Sequence, residues 1–326
     1  MRAIRFHEYG GPEVLKLEEV PEPKVRPGMV LVRVRAAGLN YADVMQRRGR
    51  YLEPTPLPAT AGAEIAGSVV AVGEGVTKPR VGTRVMGFAR GGYAEYVVTL
   101  PQLLFPIPED MDFVHAAALP LQGLTAYHCL MTAGHIKTGC SVLVHAAAGG
   151  VGLFAVQLAK HIGNCVVIGT ASTPAKLELA QSKGLDIPID YTKEDFVAKV
   201  KAVTDGQGVD VILEAVGGEI FHRSLEALAP FGRLVVYGRA SGSSNDIDAW
   251  QLVRKNQAVV GFYLPGLLSQ PALAKESMRE LTEWVWDRQI EIVVGHTYPL
   301  EKAADAQAAL EGRATVGKVV LTVGEG

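Results

Sequence analysis

The stretch that most constrains this chain is Ser141–Gly163, SVLVHAAAGGVGLFAVQLAKHIG. An apolar run of strand length, SVLV, enters a turn of small residues and leaves it as a helix-forming segment, LFAVQLAK. His145-Ala146-Ala147-Ala148-Gly149-Gly150-Val151-Gly152 reads as Ala147-x-Gly149-x-x-Gly152, a dinucleotide fingerprint with alanine in the first glycine position. Such a turn must be tight, must let backbone approach a pyrophosphate, and must let the helix pack close to the strand. The helix N-terminus then presents unpaired N–H groups to the phosphates. The glycine pattern alone is weak, but here a strand precedes it, a helix follows, and CVVIGT supplies a second strand. Ala147, Gly149, Gly150, Val151 and Gly152 are therefore candidate cofactor-binding residues. The competing reading is a glycine packing turn in an α/β fold without a ligand.

The end of the second strand discriminates between cofactors. An NAD site usually carries Asp or Glu there, to hold the ribose 2′-hydroxyl. This chain has Thr170-Ala171-Ser172-Thr173-Pro174-Ala175-Lys176, with hydroxyls and a lysine but no acid. A 2′-phosphate is repelled by a carboxylate and favoured by Ser172 and Lys176, so the expectation is NADPH, with Thr170 bordering the site. Against it, Lys176 is also what a solvated first helical turn would carry.

The text around the turn has two styles. Up to about Pro108, short apolar or alternating runs such as MVLVRVRAAG, GSVVAVGEG and YAEYVVT are broken by Gly and Pro, as in a β-rich domain or small barrel. From about Leu119, strand and helix candidates alternate: SVLVHA, CVVIGTA, DIPIDY, VDVILEAVG, GRLVVYG and QAVVGFYL are separated by helical segments. Strands joined by crossovers form a parallel sheet with helices on both faces, so the fold class is α/β with a doubly wound domain beside a β-rich one. The closing strand GKVVLTV resembles the first third, and the chain is expected to return there. The expected boundaries are 119–265 for the nucleotide-binding domain, with 1–118 and 266–326 forming the other.

Composition excludes some classes. With 326 residues and 48% hydrophobic content the chain can bury one large core or two ordinary ones. A formal net charge of -2 offers no basic face for nucleic acid. Three cysteines, Cys129, Cys140 and Cys165, form no Cys-x-x-Cys pair, which points to a reducing, cytoplasmic setting. The N-terminus MRAIRFHEYGGPE lacks the apolar core of a signal peptide. Thr138–Ala159 has no charged residue and could pass for a membrane span on hydropathy, but its glycines and strand-like start argue for a soluble segment with no integral membrane role.

AGLNYADVMQRRGRY, GAEIAG, LTAYHCL and VLVHAAAGGVGLFAVQLAK together resemble the zinc-free quinone oxidoreductases of the medium-chain dehydrogenase/reductase superfamily, over essentially the whole chain. VHAAAGGVG, GTAS, IDYTKEDF and VGKVVL are most similar to the branch holding the vesicle amine transport protein, with the zeta-crystallin type slightly further away. The resemblance implies a GroES-like catalytic domain, a Rossmann cofactor domain, an active cleft between them, and homodimers formed through the edge of the cofactor-domain sheet. Zinc-dependent members of that superfamily read Gly-His-Glu where this chain has Gly62-Ala63-Glu64, and two cysteine ligands correspond here to Asn40 and Leu121. A catalytic zinc needs about three side-chain ligands, so no metal is expected. The lobe that holds a structural zinc in those enzymes is missing too, since GGYAEYVVTLPQLLFPIP runs past its place. Glu64 is then either architectural, pairing with a cation or accepting backbone N–H bonds, or a catalytic acid. Without a Lewis acid the substrate must already be electrophilic, as quinones and activated enones are.

By the same resemblance Asn40 and Tyr51 are expected to hydrogen-bond a quinone oxygen while Asp43 orients neighbours. Tyr51 is either the proton donor or a positioning group, with water as the rival donor. On the cofactor side the resemblance implies Thr125 near the nicotinamide or phosphates, Tyr191 near the adenosine 2′-phosphate, and Gly238 and Arg239 bordering the cofactor. Phe262 to Leu264 would face the carboxamide, and Lys318 would close over the cofactor. The expected activity is NADPH:quinone reduction. The alternatives are an enone reductase and a non-enzymatic NADPH-binding protein.

Overall fold

The computed structural model describes residues 1–324, which form two compact units. Unit 1 comprises Met1–Leu121, Gln270–Met278 and Ile292 onward; unit 2 comprises Gln122–Ser269 and Arg279–Glu291.

Unit 1 begins with eight strands: β1 (Arg2–Phe6), β2 (Lys16–Glu19), β3 (Val30–Leu39), β4 (Ala59–Thr60), β5 (Glu64–Val72), β6 (Arg84–Phe88), β7 (Tyr96–Thr99) and β8 (Leu104–Pro106). In unit 2 follow β9 (Ser141–Val144), β10 (Val166–Ala171), β11 (Ile187–Asp190), β12 (Val209–Glu214), β13 (Leu228–Val236) and β14 (Ala258–Gly261). The chain returns to unit 1 for β15 (Val294–Pro299) and β16 (Lys318–Thr322), as the closing GKVVLTV run suggests.

The large sheet of unit 1 runs β15-β16-β3-β5-β6-β8, with β7 also on β3, and a smaller one runs β2-β1-β4. Along β3, Val30, Val32 and Val34 are at most 2% exposed, because successive side chains of a strand point to opposite faces and one face is packed. Ile4, Phe6, Ile65, Val69, Val85, Val319 and Leu321 complete that core. Two registers and one adjacency place the polar cluster described below. Gly38 pairs with Glu64, Val319 pairs with Leu39, and Asn40 follows directly on β3. The first residues of β5 and β16 therefore meet at the end of β3.

The sheet of unit 2 runs β11-β10-β9-β12-β13-β14, parallel throughout. Counted by appearance in unit 2, that is the third, second, first, fourth, fifth and sixth strand, the dinucleotide-binding order with its switch point between β9 and β12. Val142, Leu143 and Val144 are all 0% exposed, as in a sheet covered on both faces. Helices Gly150–Gly163, Pro174–Ser182, Phe196–Val203 and Glu219–Ala227 make the crossovers. Asp195 caps one of them by accepting from Val197 N–H and Ala198 N–H, at 2.9 and 3.2 Å. Asn164 ends another in the left-handed conformation, φ 44°. Thr138–Ala159 divides into β9 and the start of helix Gly150–Gly163. Among the described residues no helix is long and apolar enough to cross a membrane.

The units differ from the expected boundaries most clearly at 279–291, which cluster with unit 2. Trp284 has its ring 6.1 Å from Tyr127 and 4.7 Å from His161. Gln157 exchanges two hydrogen bonds with the Glu291 backbone, at 3.0 and 2.8 Å. These contacts hold the second half of helix Pro271–Trp286, and the residues after it, to unit 2.

Candidate functional site

Asn40 ends β3 and opens helix Tyr41–Arg47, where its N–H donates to Asp43 Oδ2 at 2.9 Å, one half of a capping box. Its side chain turns into unit 1. Lys318 Nζ donates to Asn40 Oδ1 and to Glu64 Oε2, each at 2.6 Å. Asn40 Nδ2 donates to Glu64 Oε2 at 3.1 Å and to Gly38 O at 3.3 Å. The second Glu64 oxygen accepts Leu121 N–H at 2.6 Å. Both partners foreseen for Glu64, a cation and a backbone N–H, are present, and the carboxylate is 0% exposed. The approach is close enough to require glycine at position 38: a Cβ there would lie 2.8 Å from Lys318 Cε and would strike Glu64 Oε2 and Ala117 O. Among the described residues no group of three or more His, Cys, Asp or Glu side chains is placed to hold a metal ion. Asn40 and Glu64 converge on the Lys318 ammonium instead, and Leu121 meets them through its N–H on the Glu64 carboxylate.

Asp43 extends the cluster. Its Oδ2 also accepts the Tyr93 hydroxyl at 2.8 Å, while Oδ1 is buried without a partner. Burial outweighs the bonds from Tyr93 and Asn40 and pushes the Asp43 carboxyl up to about 6. Burial likewise pushes the Tyr93 phenol up, with the Asp43 charge adding to it. Asn40 and Asp43 are 3% and 2% exposed, and the Asn40 amide is fully engaged. Tyr51 differs: it lies half-buried in the bend after helix Tyr41–Arg47. Tyr93 was missed because its partner is 50 residues away and nothing local marks the pairing.

Unit 2 carries the glycine turn at the C-terminal end of β9. Ala146 adopts a left-handed φ of 52°, and Ala147 N–H donates to Thr170 O at 3.0 Å, tying the turn to β10. Gly149 is the N-cap of helix Gly150–Gly163 and supplies no side-chain cap. A Cβ on Gly152 would lie 2.8 Å from both Ala147 C and Ala147 Cα and would strike Ala146 O, so the helix can start this close to the turn only with glycine there. Gln122, unremarked in the sequence, lies against Gly150 with its Oε1 buried and unpartnered. An uncapped helix start beside a glycine turn fits a pyrophosphate.

Several other candidate residues follow the C-terminal ends of the neighbouring strands β10, β11, β13 and β14. Ser172 and Lys176 are half-buried just beyond β10, and no carboxylate stands between them. Tyr191 N–H donates to Ala171 O at 3.2 Å, which brings Tyr191 beside them. Asp190, which ends β11, is spent on Thr192 and on Lys193, whose Nζ is 3.3 Å away. This donor set fits a 2′-phosphate better than a free ribose diol. Thr170 is 2% exposed and its hydroxyl faces His145 Nδ1 at 3.1 Å. Gly238 and Arg239 follow β13, half-buried and exposed respectively, and Thr125 is buried on helix Pro120–His128. Phe262 N–H donates to Val236 O at 2.9 Å, its ring stacks on His128, and Leu264 is buried at the start of the next helix. Lys318, in unit 1, has its ammonium bonded to Asn40 and Glu64. At the end of β12, Glu214 accepts Val216 N–H and Gly217 N–H at 2.6 and 2.8 Å, and burial pushes its carboxyl up. An acid closing an apolar strand, VDVILE, was the sequence signal for it.

The described geometry has known counterparts. A model described as "Alcohol dehydrogenase GroES-like domain" matches residues 26–109, and one described as "Zinc-binding dehydrogenase" matches residues 150–287. A synaptic vesicle membrane protein VAT-1 homolog of Rattus norvegicus is 38% identical, over 99% of this chain and 84% of its own length. A quinone oxidoreductase of Pseudomonas aeruginosa is also 38% identical, over 98% of this chain and 99% of its own. Among solved structures, the quinone oxidoreductase of Escherichia coli complexed with NADPH superposes with a TM-score of 0.95 at 35% identity, covering 99% of this chain and all of that one.

Proposed function

From the premise that the chain belongs to the medium-chain dehydrogenase/reductase superfamily, we propose that it is a zinc-independent NADPH:quinone oxidoreductase. The observation that carries this reading is the Lys318 ammonium bound by Asn40 and Glu64 beside Ala63, where the zinc-dependent members carry metal ligands. The similarity to quinone oxidoreductases, one of them solved with NADPH, supports it.

When bound, NADPH supplies the hydride. The N-terminus of helix Gly150–Gly163 holds the pyrophosphate, and Ser172, Lys176 and Tyr191 hold the 2′-phosphate. A quinone needs no Lewis acid, because two-electron reduction yields a stabilised hydroquinone anion. Of the three residues expected at the substrate, Tyr51 is half-buried where Asn40 and Asp43 are buried, and we assign it the contact to a quinone oxygen. A phenol is a weak acid at neutral pH, so Tyr51 orients the oxygen while water competes as proton source. Asn40 and Asp43 are positioning residues, locked into the Lys318 and Tyr93 network beneath. The working form is a cytoplasmic homodimer through β14, the edge strand of the six-stranded sheet, near which Trp250 is 77% exposed.

The test is NADPH oxidation by chelator-treated protein with an ortho-quinone, against a blank without acceptor. Chelator-resistant turnover, slowed in Tyr51→Phe, is the expected result. Equal turnover by Tyr51→Phe on several quinones removes Tyr51 from the site. The identity to the vesicle membrane protein homologue favours one second reading, an NADPH-binding protein without quinone turnover. NADPH binding with no oxidation by quinones or enones would select it. Oxidation by enones alone would make the chain a double-bond reductase.

A further inference from the structure

Cys140 and Cys165 stand one residue before the paired positions Ser141 and Val166 of the parallel β9–β10 ladder, and Val166 N–H donates to Cys140 O at 2.9 Å. The two cysteines are therefore side by side across neighbouring strands. Such strands lie about 4.8 Å apart, within the roughly 4.4–6.8 Å Cα separation that a disulfide spans. Both cysteines are free thiols, and their sulfurs are 2.9 Å apart. Cys165 is buried, while Cys140 is half-buried and so reachable from solvent. A Cβ on Gly163 would lie 2.6 Å from Cys165 Sγ, so the residue there leaves room for the sulfur.

The sulfurs are not equivalent. The hydrogen bond from Cys165 pulls the Cys140 thiol down to about 7, against the cost of burial, and the same bond pushes Cys165 up. The thiolate thus forms on the more accessible sulfur. Cys129 is a contrast within the chain: it is 0% exposed, and burial pushes its thiol up.

We propose that Cys140 and Cys165 are a redox-modification site that takes small hydroperoxides, with Cys140 as the attacking sulfur and Cys165 as the resolving one. In the first step the Cys140 thiolate attacks a peroxide oxygen. The O–O bond breaks, Cys140 becomes a sulfenic acid, and the departing hydroxide leaves as water after taking a proton. In the second, the Cys165 sulfur attacks the Cys140 sulfur. The S–S bond forms, the S–O bond breaks, and the leaving hydroxide takes the Cys165 proton. Two thiols lose two electrons and two protons, and hydrogen peroxide becomes two waters. The disulfide closes the segment between residues 25 apart in sequence, which contains the glycine turn and helix Gly150–Gly163. A dithiol reductant reverses it by thiol–disulfide exchange.

The full chain, reduced and freed of reductant, is treated with one equivalent of hydrogen peroxide and examined by intact mass, differential alkylation and peptide mapping. The expected result is loss of two hydrogen atoms in mass, a Cys140–Cys165 cross-linked peptide restored to free thiols by dithiothreitol, and Cys129 still a thiol. Cys165→Ser is expected to stop at a Cys140 sulfenic acid that a dimedone probe captures, and Cys140→Ser to leave Cys165 reduced. Thiols at 140 and 165 that both survive excess peroxide in the wild-type chain overturn the proposal. So does oxidation of Cys140 to the sulfinic acid without a cross-link.

Discussion

Lys318 Nζ lies 2.6 Å from Glu64 Oε2, with the two side chains 1% and 0% exposed. The pair joins the first residue of β16 to the first residue of β5, 254 positions apart in sequence. Desolvating both charges is costly, and their attraction offsets this only where the remaining lone pairs and protons are satisfied. Here they are met in part by Asn40 and by the backbone of Leu121.

Removing one partner is therefore expected to cost more than removing both. Lys318→Met leaves the Glu64 carboxylate buried without its cation, and breaking such a pair costs about 3–5 kcal/mol. Lys318→Met combined with Glu64→Gln removes both charges and is expected to recover a large part of that loss. Denaturant unfolding of the two variants and the parent measures the difference. A double variant no more stable than Lys318→Met would show that the pair is not the source of the loss.

Asp43 makes stability fall as pH rises. Its carboxyl moves from 3.8 to about 6 on folding, so between those values the folded chain keeps a proton that the unfolded chain has released. Below pH 3.8 the burden is absent, and above pH 6 it is complete, at up to about 3 kcal/mol. Asparagine at this position can still accept from Tyr93 and from Asn40 N–H, and its amide nitrogen takes the place of the unpartnered Oδ1. Asp43→Asn is expected to gain stability relative to the parent as pH rises through the window. Melting curves from pH 4 to 7 read the gain, and parallel curves would overturn it.

His145 has the opposite sign. Ser224 donates its hydroxyl proton to Ile220 O at 2.6 Å, so it must accept from His145 Nε2–H, and Nδ1 is left to accept from Thr170. That arrangement needs the neutral ring, and burial pushes its pKa down to about 4. As pH falls from 6.5 to 4 the unfolded chain gains a proton that the folded chain refuses, and up to about 3 kcal/mol is lost. His145→Gln, which cannot titrate, is expected to lose less stability over that interval than the parent. An equal acid loss would assign the effect to other groups.

The sequence made the fold legible where physics is local. SVLV, CVVIG and VDVILE read as strands because a parallel sheet buried on both faces is apolar without alternation. The glycine turn was legible because Gly152 answers a backbone contact within its own turn. The polar cluster was not, because the registers Gly38 with Glu64 and Val319 with Leu39 bring together residues that share no local pattern. Lys318 illustrates the difference: nothing local marks its partners, and its place in β16 puts its ammonium on Asn40 and Glu64. Trp284 is similar, since helical spacing says nothing about packing near Tyr127 and His161.

Gly152→Ala tests the nucleotide turn. The added methyl meets Ala147 C and Cα at 2.8 Å, both backbone atoms that cannot swing away, so the helix must withdraw from the turn. The N–H groups that would hold a pyrophosphate move with it. NADPH affinity measured by calorimetry is expected to fall at least about tenfold, or 1.4 kcal/mol, while circular dichroism keeps its helical signal. Unchanged affinity would mean that the cofactor does not use this turn.

The preference for NADPH over NADH should reside in two side chains. Ser172 and Lys176 flank the end of β10 with no carboxylate between them, and Asp190 is engaged with Thr192 and Lys193. Each hydrogen bond to a charged phosphate contributes about 1.5–3 kcal/mol. Losing two such bonds in Ser172→Ala with Lys176→Ala, about 3–6 kcal/mol together, is thus expected to weaken NADPH by about 100- to 10,000-fold and leave NADH nearly unchanged, because only NADPH carries the 2′-phosphate. Affinities for the two nucleotides, taken at two salt concentrations, separate this from a general loss. The parent's preference should shrink at higher salt and the variant's should not, since screening acts on the charge contact that the variant lacks. Equal weakening of both nucleotides would place the discrimination elsewhere in unit 2.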